Sequence, residues 1–364
     1  MGAVRYGIIG TGMMGVEHIN NLLAIDGAAV TAIADPEARS LDLAMHAVGP
    51  DHPPARFSDH RELITSGTCD AVVIASPNHT HHDVLQDVLA TPLHVLVEKP
   101  LCTTVADCAA VVAAAAAGPP ERVVWMGLEY RYMPPTQQLL GEVRGGTVGT
   151  VRMVAVREHR FPFLHKVDNW NRFNRNTGGT LVEKCCHYFD LMNLVVGRRP
   201  RRVMASGAQD VNHLDESYDG EVPDVIDNAY VVVDYDGGAR GMLDLCMFAE
   251  AAKNEQELCV VGDAGRVEAL VTERLLRVGR RADGALGRVT ERTVDDAHVR
   301  FEGFHHGSSY LEHVDFLGAI RGGRPATVTL EDGLWSVAVG EAAHRSIEEN
   351  RWVEIAELFE GLPA

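Results

Sequence analysis

In the first 128 residues, short apolar β-rich runs alternate with helix-like segments, and this constrains the fold more than any other feature of the chain. The runs are "RYGIIG", "AAVTAIAD", "CDAVVIAS", "HVLVEKP" and "RVVWMGL". Strands separated by helices are joined by crossovers, so they pair in parallel and bury both faces of their sheet. The clearest connecting segment is 104–117, "TVADCAAVVAAAAA", with Thr103 or Thr104 as its N-cap and "GPP" as its stop. Alanine is the strongest helix former, so the alanine run is ordinary helix. The expectation for residues 1–128 is an open, doubly wound, mainly parallel α/β sheet.

After "YRYMPP" the texture changes. Longer strand-like runs follow, "TVRMVAVREHR", "NAYVVVDYD", "ARGMLDLCMF" and "ELCVVGDAGRVEAL", joined by turns such as "DGG" and "GDAG". One helix-like segment, about 180–196, interrupts them. This predicts an α+β domain over residues 129–364, built on a large, open, mostly antiparallel sheet. The boundary falls near 128–135, where Pro134 and Pro135 interrupt regular structure. No repeat of 20–50 residues is visible.

Composition narrows the partners. The net charge of -18 disfavours a nucleic acid, whose phosphates need a basic face. No apolar run reaches the roughly 18 residues that span a bilayer, and no signal-peptide pattern opens the chain. Seven cysteines without a C-x-x-C fit reduced thiols. A cytoplasmic protein with no membrane partner is expected.

The first strand runs into Gly10-Thr11-Gly12-Met13-Met14-Gly15, a G-x-G-x-x-G that opens a helix-like segment. Asp35 closes the second strand, 20 residues beyond Gly15. Together these form the dinucleotide fingerprint. Gly10 permits the tight turn, Gly12 lets the backbone approach a pyrophosphate, and Gly15 lets helix and strand pack. Asp35 would accept from the ribose hydroxyls and repel a 2′-phosphate, which favours NAD; Arg39 keeps NADP open as an alternative.

The letters Val-Glu-Lys occur twice, at 97–99 and 182–184. The first copy ends the strand "HVLVEKP", at the carboxyl edge where open α/β sheets bind ligands, so Glu98 and Lys99 are expected beside the nicotinamide. The second lies in "TGGTLVEKCCHYFDLMNLVVG". Leu181, Cys185, Tyr188, Met192 and Val195 recur at helical spacing. Glu183 and His187 are four apart and share a helix face, a pairing that suits a carboxylate beside an acid/base imidazole. It also fits two metal ligands, but no third is evident, and no metal is expected.

"GIIGTGMMG", "ASPNHTHH", "VEKPL", "YRYMP", "GGTLVEKCCHYFD" and the C-terminal "FLGAIRGGRPATVTLEDGLWSVAVGEAAHRSIEENRWVEI" resemble, in order, landmarks of the glucose–fructose oxidoreductase / inositol dehydrogenase / MocA family of NAD(P)-dependent oxidoreductases. The resemblance covers nearly the whole chain, and Glu98-Lys99-Pro100 is its most specific motif. It implies a Rossmann domain followed by a domain whose open sheet serves for homodimers or homotetramers. It makes Lys99 the active-site lysine and His187 the acid/base histidine. Glu183 stands where the family usually has Asp. Ser76, Pro77, Asn78 and His81 fall on the loop near the nicotinamide ribose, and Tyr130 and Arg131 near the substrate. Lys99 and His187 would then serve one cleft, with Lys184 turned elsewhere.

The reading is a dehydrogenase that moves a hydride between the nicotinamide and a hydroxyl-bearing carbon. His187 removes the proton and Lys99 polarises the oxygen. The segment "REHRFPFLHKVDNWNRFNRNTGG" supplies His159, Trp170, Asn171 and Arg172, a polar and aromatic mixture suited to a sugar, sugar derivative or inositol. The acidic stretch 213–228 forms a second rim. Alternatives are a redox-assisted glycosidase or epimerase that recycles tightly bound NAD, and a non-enzymatic NAD-binding regulator.

Overall fold

The computed structural model describes residues 2–284 and 286–362. The chain forms two compact units. One comprises Met1–Glu129, Lys166–Trp170 and His298–Leu334; the other comprises Tyr130–His165, Asn171–Ala297 and Trp335–Ala364. The first unit thus takes in two later segments besides the N-terminal alternation.

Its sheet has six strands: β1 (Val4–Ile9), β2 (Ala28–Ala34), β3 (Ala55–Phe57), β4 (Ala71–Ile74), β5 (His94–Glu98) and β6 (Val124–Gly127). Their order is β3-β2-β1-β4-β5-β6 and every pairing is parallel. Burial on both faces explains the unbroken apolar runs: all four residues of β4 are buried. The edge strand β3 has only three residues, "ARF", too few to read from pattern, so "HVLVE" is the fifth strand and not the fourth. The alanine-rich helix spans Val105–Ala116, and the Thr104 hydroxyl accepts from Asp107 N at 3.2 Å. A later helix, Ser308–Gly322, completes this core. Phe316 packs against Tyr6 and Trp125, and Trp125 donates to Glu312 at 3.3 Å.

The second unit is built on nine strands: β7 (Val151–His159), β8 (Pro200–Ala208), β9 (Asn228–Tyr235), β10 (Arg240–Cys246), β11 (Gln256–Gly262), β12 (Gly265–Leu270), β13 (Leu275–Arg280), β14 (Thr290–Thr293) and β15 (Val353–Glu354). Their order is β14-β13-β12-β11-β7-β10-β9-β8-β15. Neighbours are antiparallel except β7 and β10, which run parallel. Alternation is clean. Ala229, Val231 and Val233 face inward on β9, with Tyr230 and Val232 outward. The helices Pro134–Arg144 and Cys186–Val196 pack on this unit's strands. Among the described residues, no helix is long and apolar enough to cross a membrane.

Candidate active site

The glycine-rich turn carries its reasons in its geometry. Gly10 has φ +86°, and a Cβ there would lie 2.5 Å from Ser76 N. Gly15 sits against the Gly10 carbonyl, where a side chain would collide. Gly12 is different: a Cβ there would meet no described heavy atom within 4 Å. The chain needs glycine at 10 and 15 to fold, but at 12 only if something else occupies the space. Gly12 is the N-cap of the helix Met13–Leu23, with no side-chain cap and no acidic residue in its first turn. Uncapped N–H groups and the positive end of the dipole suit a pyrophosphate. Met13 is exposed and Met14 half-buried on that first turn.

Asp35 follows β2 and reaches this loop. Its carboxylate accepts from Thr11 N at 2.7 Å and from Glu37 N at 2.9 Å. Those bonds fix it beside the turn while leaving it half-buried, so it can also receive ribose hydroxyls. These residues fit the dinucleotide fingerprint.

The loop after β4 is braced from within. Ser76 Oγ and Thr80 Oγ1 lie 2.7 Å apart. His81 is fully buried, with Nδ1 2.8 Å from Pro100 O and Nε2 3.0 Å from Ser76 O. Burial lowers its pKa, although the two carbonyls pull the other way. The ring therefore ties the loop after β4 to the residue after Lys99; it holds other residues in place. Asn78 is buried, and Pro77 caps its short turn.

Glu98 ends β5 and heads a buried chain that sequence reading missed. Its Oε1 lies 3.0 Å from His18 Nε2, and its Oε2 accepts from Lys99 N at 3.0 Å. His18 Nδ1 in turn lies 2.8 Å from His313 Nε2. Burial pushes the Glu98 carboxyl up, but the bonded His18, helped by Lys99 and His305, outweighs it and holds the group down at about 2. Glu98 thus fixes the backbone from which half-buried Lys99 emerges.

Trp170 belongs to this unit. Asp168 and Asn169 before it have φ of 52° and 51°. Its indole meets the His79 ring edge-on at 6.2 Å, and the Lys166 ammonium lies 5.6 Å from its centroid.

The second unit carries His187. The single helix expected over 180–196 is two: Thr180–Glu183 and Cys186–Val196, separated at Lys184 and Cys185. Periodicity ran through the break because both residues keep right-handed dihedrals, φ/ψ −92°/−43° and −85°/−6°. The lead-in needs its glycines. Gly178 and Gly179 have φ +80° and +86°, and a side chain at Gly179 would overlap His344. The His344 Nε2 accepts from Leu181 N at 3.0 Å, and burial pushes its pKa down to about 4.

Glu183 and His187 are both buried. Tyr130 lies flat on the His187 imidazole, with centroids 3.9 Å apart and planes at 6°. Arg131 forms a buried two-pronged pair with Asp190, its Nε donating to Oδ2 at 2.7 Å. Lys184 turns into the core of this unit. It is 5% exposed, and its Nζ donates to Tyr130 Oη at 2.7 Å and pairs with Glu158 Oε1 at 3.0 Å. Glu158 also receives the Tyr188 hydroxyl, and burial, then this carboxylate, raises the Tyr188 pKa.

The polar rim residues are largely engaged. Asn171 donates to Leu164 O at 2.9 Å. Buried Arg172 pairs with Glu216 at 2.9 Å, which also contacts His213 and Tyr218 at 2.8 Å each. The 213–228 stretch is thereby pinned to the Arg172 segment. His159 pairs with Asp244 at 3.1 Å across β7 and β10. No cluster of three or more His, Cys, Asp or Glu that could hold a metal ion occurs among the described residues.

Comparison with known proteins matches the chain in two parts. Residues 4–125 match an oxidoreductase family's NAD-binding Rossmann fold, and residues 141–355 that family's C-terminal alpha/beta domain. The chain is 28% identical to the myo-inositol 2-dehydrogenase of Thermotoga maritima over 98% of its own length and 100% of that protein. It is 25% identical to the rhizopine catabolism protein MocA of Rhizobium meliloti, covering 93% of each. A probable dehydrogenase from Thermotoga maritima superposes with TM-score 0.77 at 26% identity, over 98% of this chain and 100% of that one. A levoglucosan dehydrogenase solved with NADH and levoglucosan shares the fold, with TM-score 0.82 at 20% identity over 97% and 99%.

Proposed function

The chain belongs to the Gfo/Idh/MocA oxidoreductase family, with its NAD-binding Rossmann domain, and from that premise we propose that it oxidises a hydroxyl-bearing carbon of an inositol, sugar or sugar derivative. The observation that carries the substrate class is the full-length similarity to a myo-inositol 2-dehydrogenase. NAD, when bound, accepts the hydride. Gly12, the open helix terminus and Asp35 would hold it.

His187 takes the hydroxyl proton as the hydride leaves, since an unperturbed imidazole titrates near pH 6.5. Lys99 donates to the same oxygen and stabilises its developing charge. Glu183, one turn before His187, orients the imidazole or binds a neighbouring hydroxyl. Trp170 offers an apolar ring face to the substrate. Residues on the outward face of the nine-stranded sheet, with Met153, Tyr230 and Met242 exposed, would join copies of the chain.

The test is a panel of inositols and sugars with NAD or NADP, followed by NADH absorbance. If no polyol yields reduced cofactor, the dehydrogenase reading fails; product formed without net NADH would identify a recycling epimerase or glycosidase. With an active substrate, Lys99→Ala and His187→Ala should each lower kcat by about 10²–10⁴-fold while NADH binding holds. The double variant should lose less than the product of the two, because groups acting on one oxygen are not additive.

A further inference from the structure

The second Val-Glu-Lys has a consequence for His187 that its letters do not suggest. Tyr130 is 3% exposed and covers one face of the imidazole in a near-parallel stack. A stacked ring can slide or tilt unless its far end is held. Here the far end is the hydroxyl, and it accepts from the Lys184 ammonium at 2.7 Å. The ammonium is held in turn by Glu158 at 3.0 Å. Glu158 is fully buried and lies on β7, in the inward series Val154, Val156, Glu158. Its second oxygen receives Tyr188, and Arg160 lies 3.6 Å from its first. The anchor is therefore a strand of the sheet, and the order of contacts is Glu158, Lys184, Tyr130, His187.

We propose that Tyr130, locked by the Lys184–Glu158 pair, is the positioning residue that sets the plane and the electrostatic surroundings of the His187 imidazole. Lys184 is three residues before His187 in sequence, and its ammonium lies 5.0 Å from the Tyr130 ring centroid. The pair thus holds the imidazole plane. Tyr130 and Lys184 touch no reacting atom in this scheme. The proposal rests on the reading of His187 as acid/base.

The experiment measures the His187 imidazole directly, so it needs no known substrate. Protein labelled with ¹⁵N-histidine is titrated by NMR in the presence of NADH, with His187→Asn identifying the resonance. Three variants are compared: Tyr130→Phe, Tyr130→Leu, and the double Lys184→Met/Glu158→Gln, which removes both buried charges together so that neither is stranded. Tyr130→Leu and the double variant should each move the His187 midpoint by about half a unit or more. Tyr130→Phe, which keeps the stack, should stay nearer the wild type. On an active polyol, Tyr130→Leu should lower kcat by about 10²-fold with the NADH Kd unchanged, the size expected from a misplaced catalytic group. Tyr130→Phe should recover most of that loss. Unmoved titration and kcat in folded Tyr130→Leu and double variants overturn the proposal, as does a Phe variant as damaged as Leu. His187→Ala runs in parallel: if it keeps full activity, the acid/base reading falls, whereas loss in His187→Ala alone removes only the positioning role.

Discussion

Gly10 and Gly12 are two letters apart in one motif, yet the structure gives them opposite reasons, and alanine at each separates folding from cofactor binding. Gly10 holds φ +86°, a region that costs an L-residue roughly 1–2 kcal/mol. Its Cβ would also press on the backbone of Ala75 and Ser76, at 2.5–2.6 Å. Overpacking of that kind adds about 1–3 kcal/mol. Gly10→Ala should therefore lose about 2–5 kcal/mol and several degrees of Tm. Gly12 holds φ −68°, which alanine adopts freely, and its Cβ enters open space. The change there should cost at most about 1 kcal/mol, the weaker N-cap of alanine. The methyl would instead stand where a pyrophosphate must meet the backbone. Losing one hydrogen bond to a charged group, worth about 1.5–3 kcal/mol, weakens NADH by roughly 10- to 100-fold. Thermal unfolding and NADH fluorescence titration read the two quantities. A Gly12→Ala protein that binds NADH like wild type would refute the cofactor assignment. A Gly10→Ala protein that melts at the wild-type temperature would refute the steric argument.

Asp35→Asn keeps one of the two oxygens that accept from Thr11 N and Glu37 N, and removes the charge that opposes a 2′-phosphate, so the ratio of NADP to NAD dissociation constants should shrink; a wild-type ratio would move specificity elsewhere. His344 has its folded pKa depressed to about 4 by burial, below its ordinary 6.5, so the unfolded chain binds more protons between those values. Its contribution is intact above pH 6.5 and falls with acidification at up to about 1.4 kcal/mol per pH unit, a total loss of about 3 kcal/mol below pH 4. Urea unfolding at pH 7 and pH 5 should show this slope, smaller in His344→Gln; equal slopes in both proteins would remove the assignment.

What the sequence made legible follows from what each feature needed. The parallel sheet was readable because strands buried on both faces are apolar through their centres, as all of β4 and Val95–Val97 of β5 are. The glycine turn was readable because backbone geometry demands Gly10 and Gly15. The strand β8 was not read: Pro200–Ala208 turns in Val203 and Ala205 among arginines and small residues, too weak an alternation to stand out. The polar rim is hard to read for another reason. A loop rich in Arg and Asn can bind hydroxyls or tie itself down, and the letters do not say which; Arg172 bonds Glu216 and Asn171 bonds Leu164 O. Lys184 is the sharpest case. Its neighbours suggest a lysine turned off the catalytic face, and nothing in the local letters says where it goes. The signal lay 26 residues earlier, where β7 places Glu158 in the inward series after Val154 and Val156. A carboxylate at an inward strand position cannot stay in the core without a cation or several donors. Pattern alone can announce that demand, but only the tertiary fold says who meets it. Lys184 does, with Tyr188 sharing the carboxylate, and in doing so it fixes the tyrosine that lies on His187.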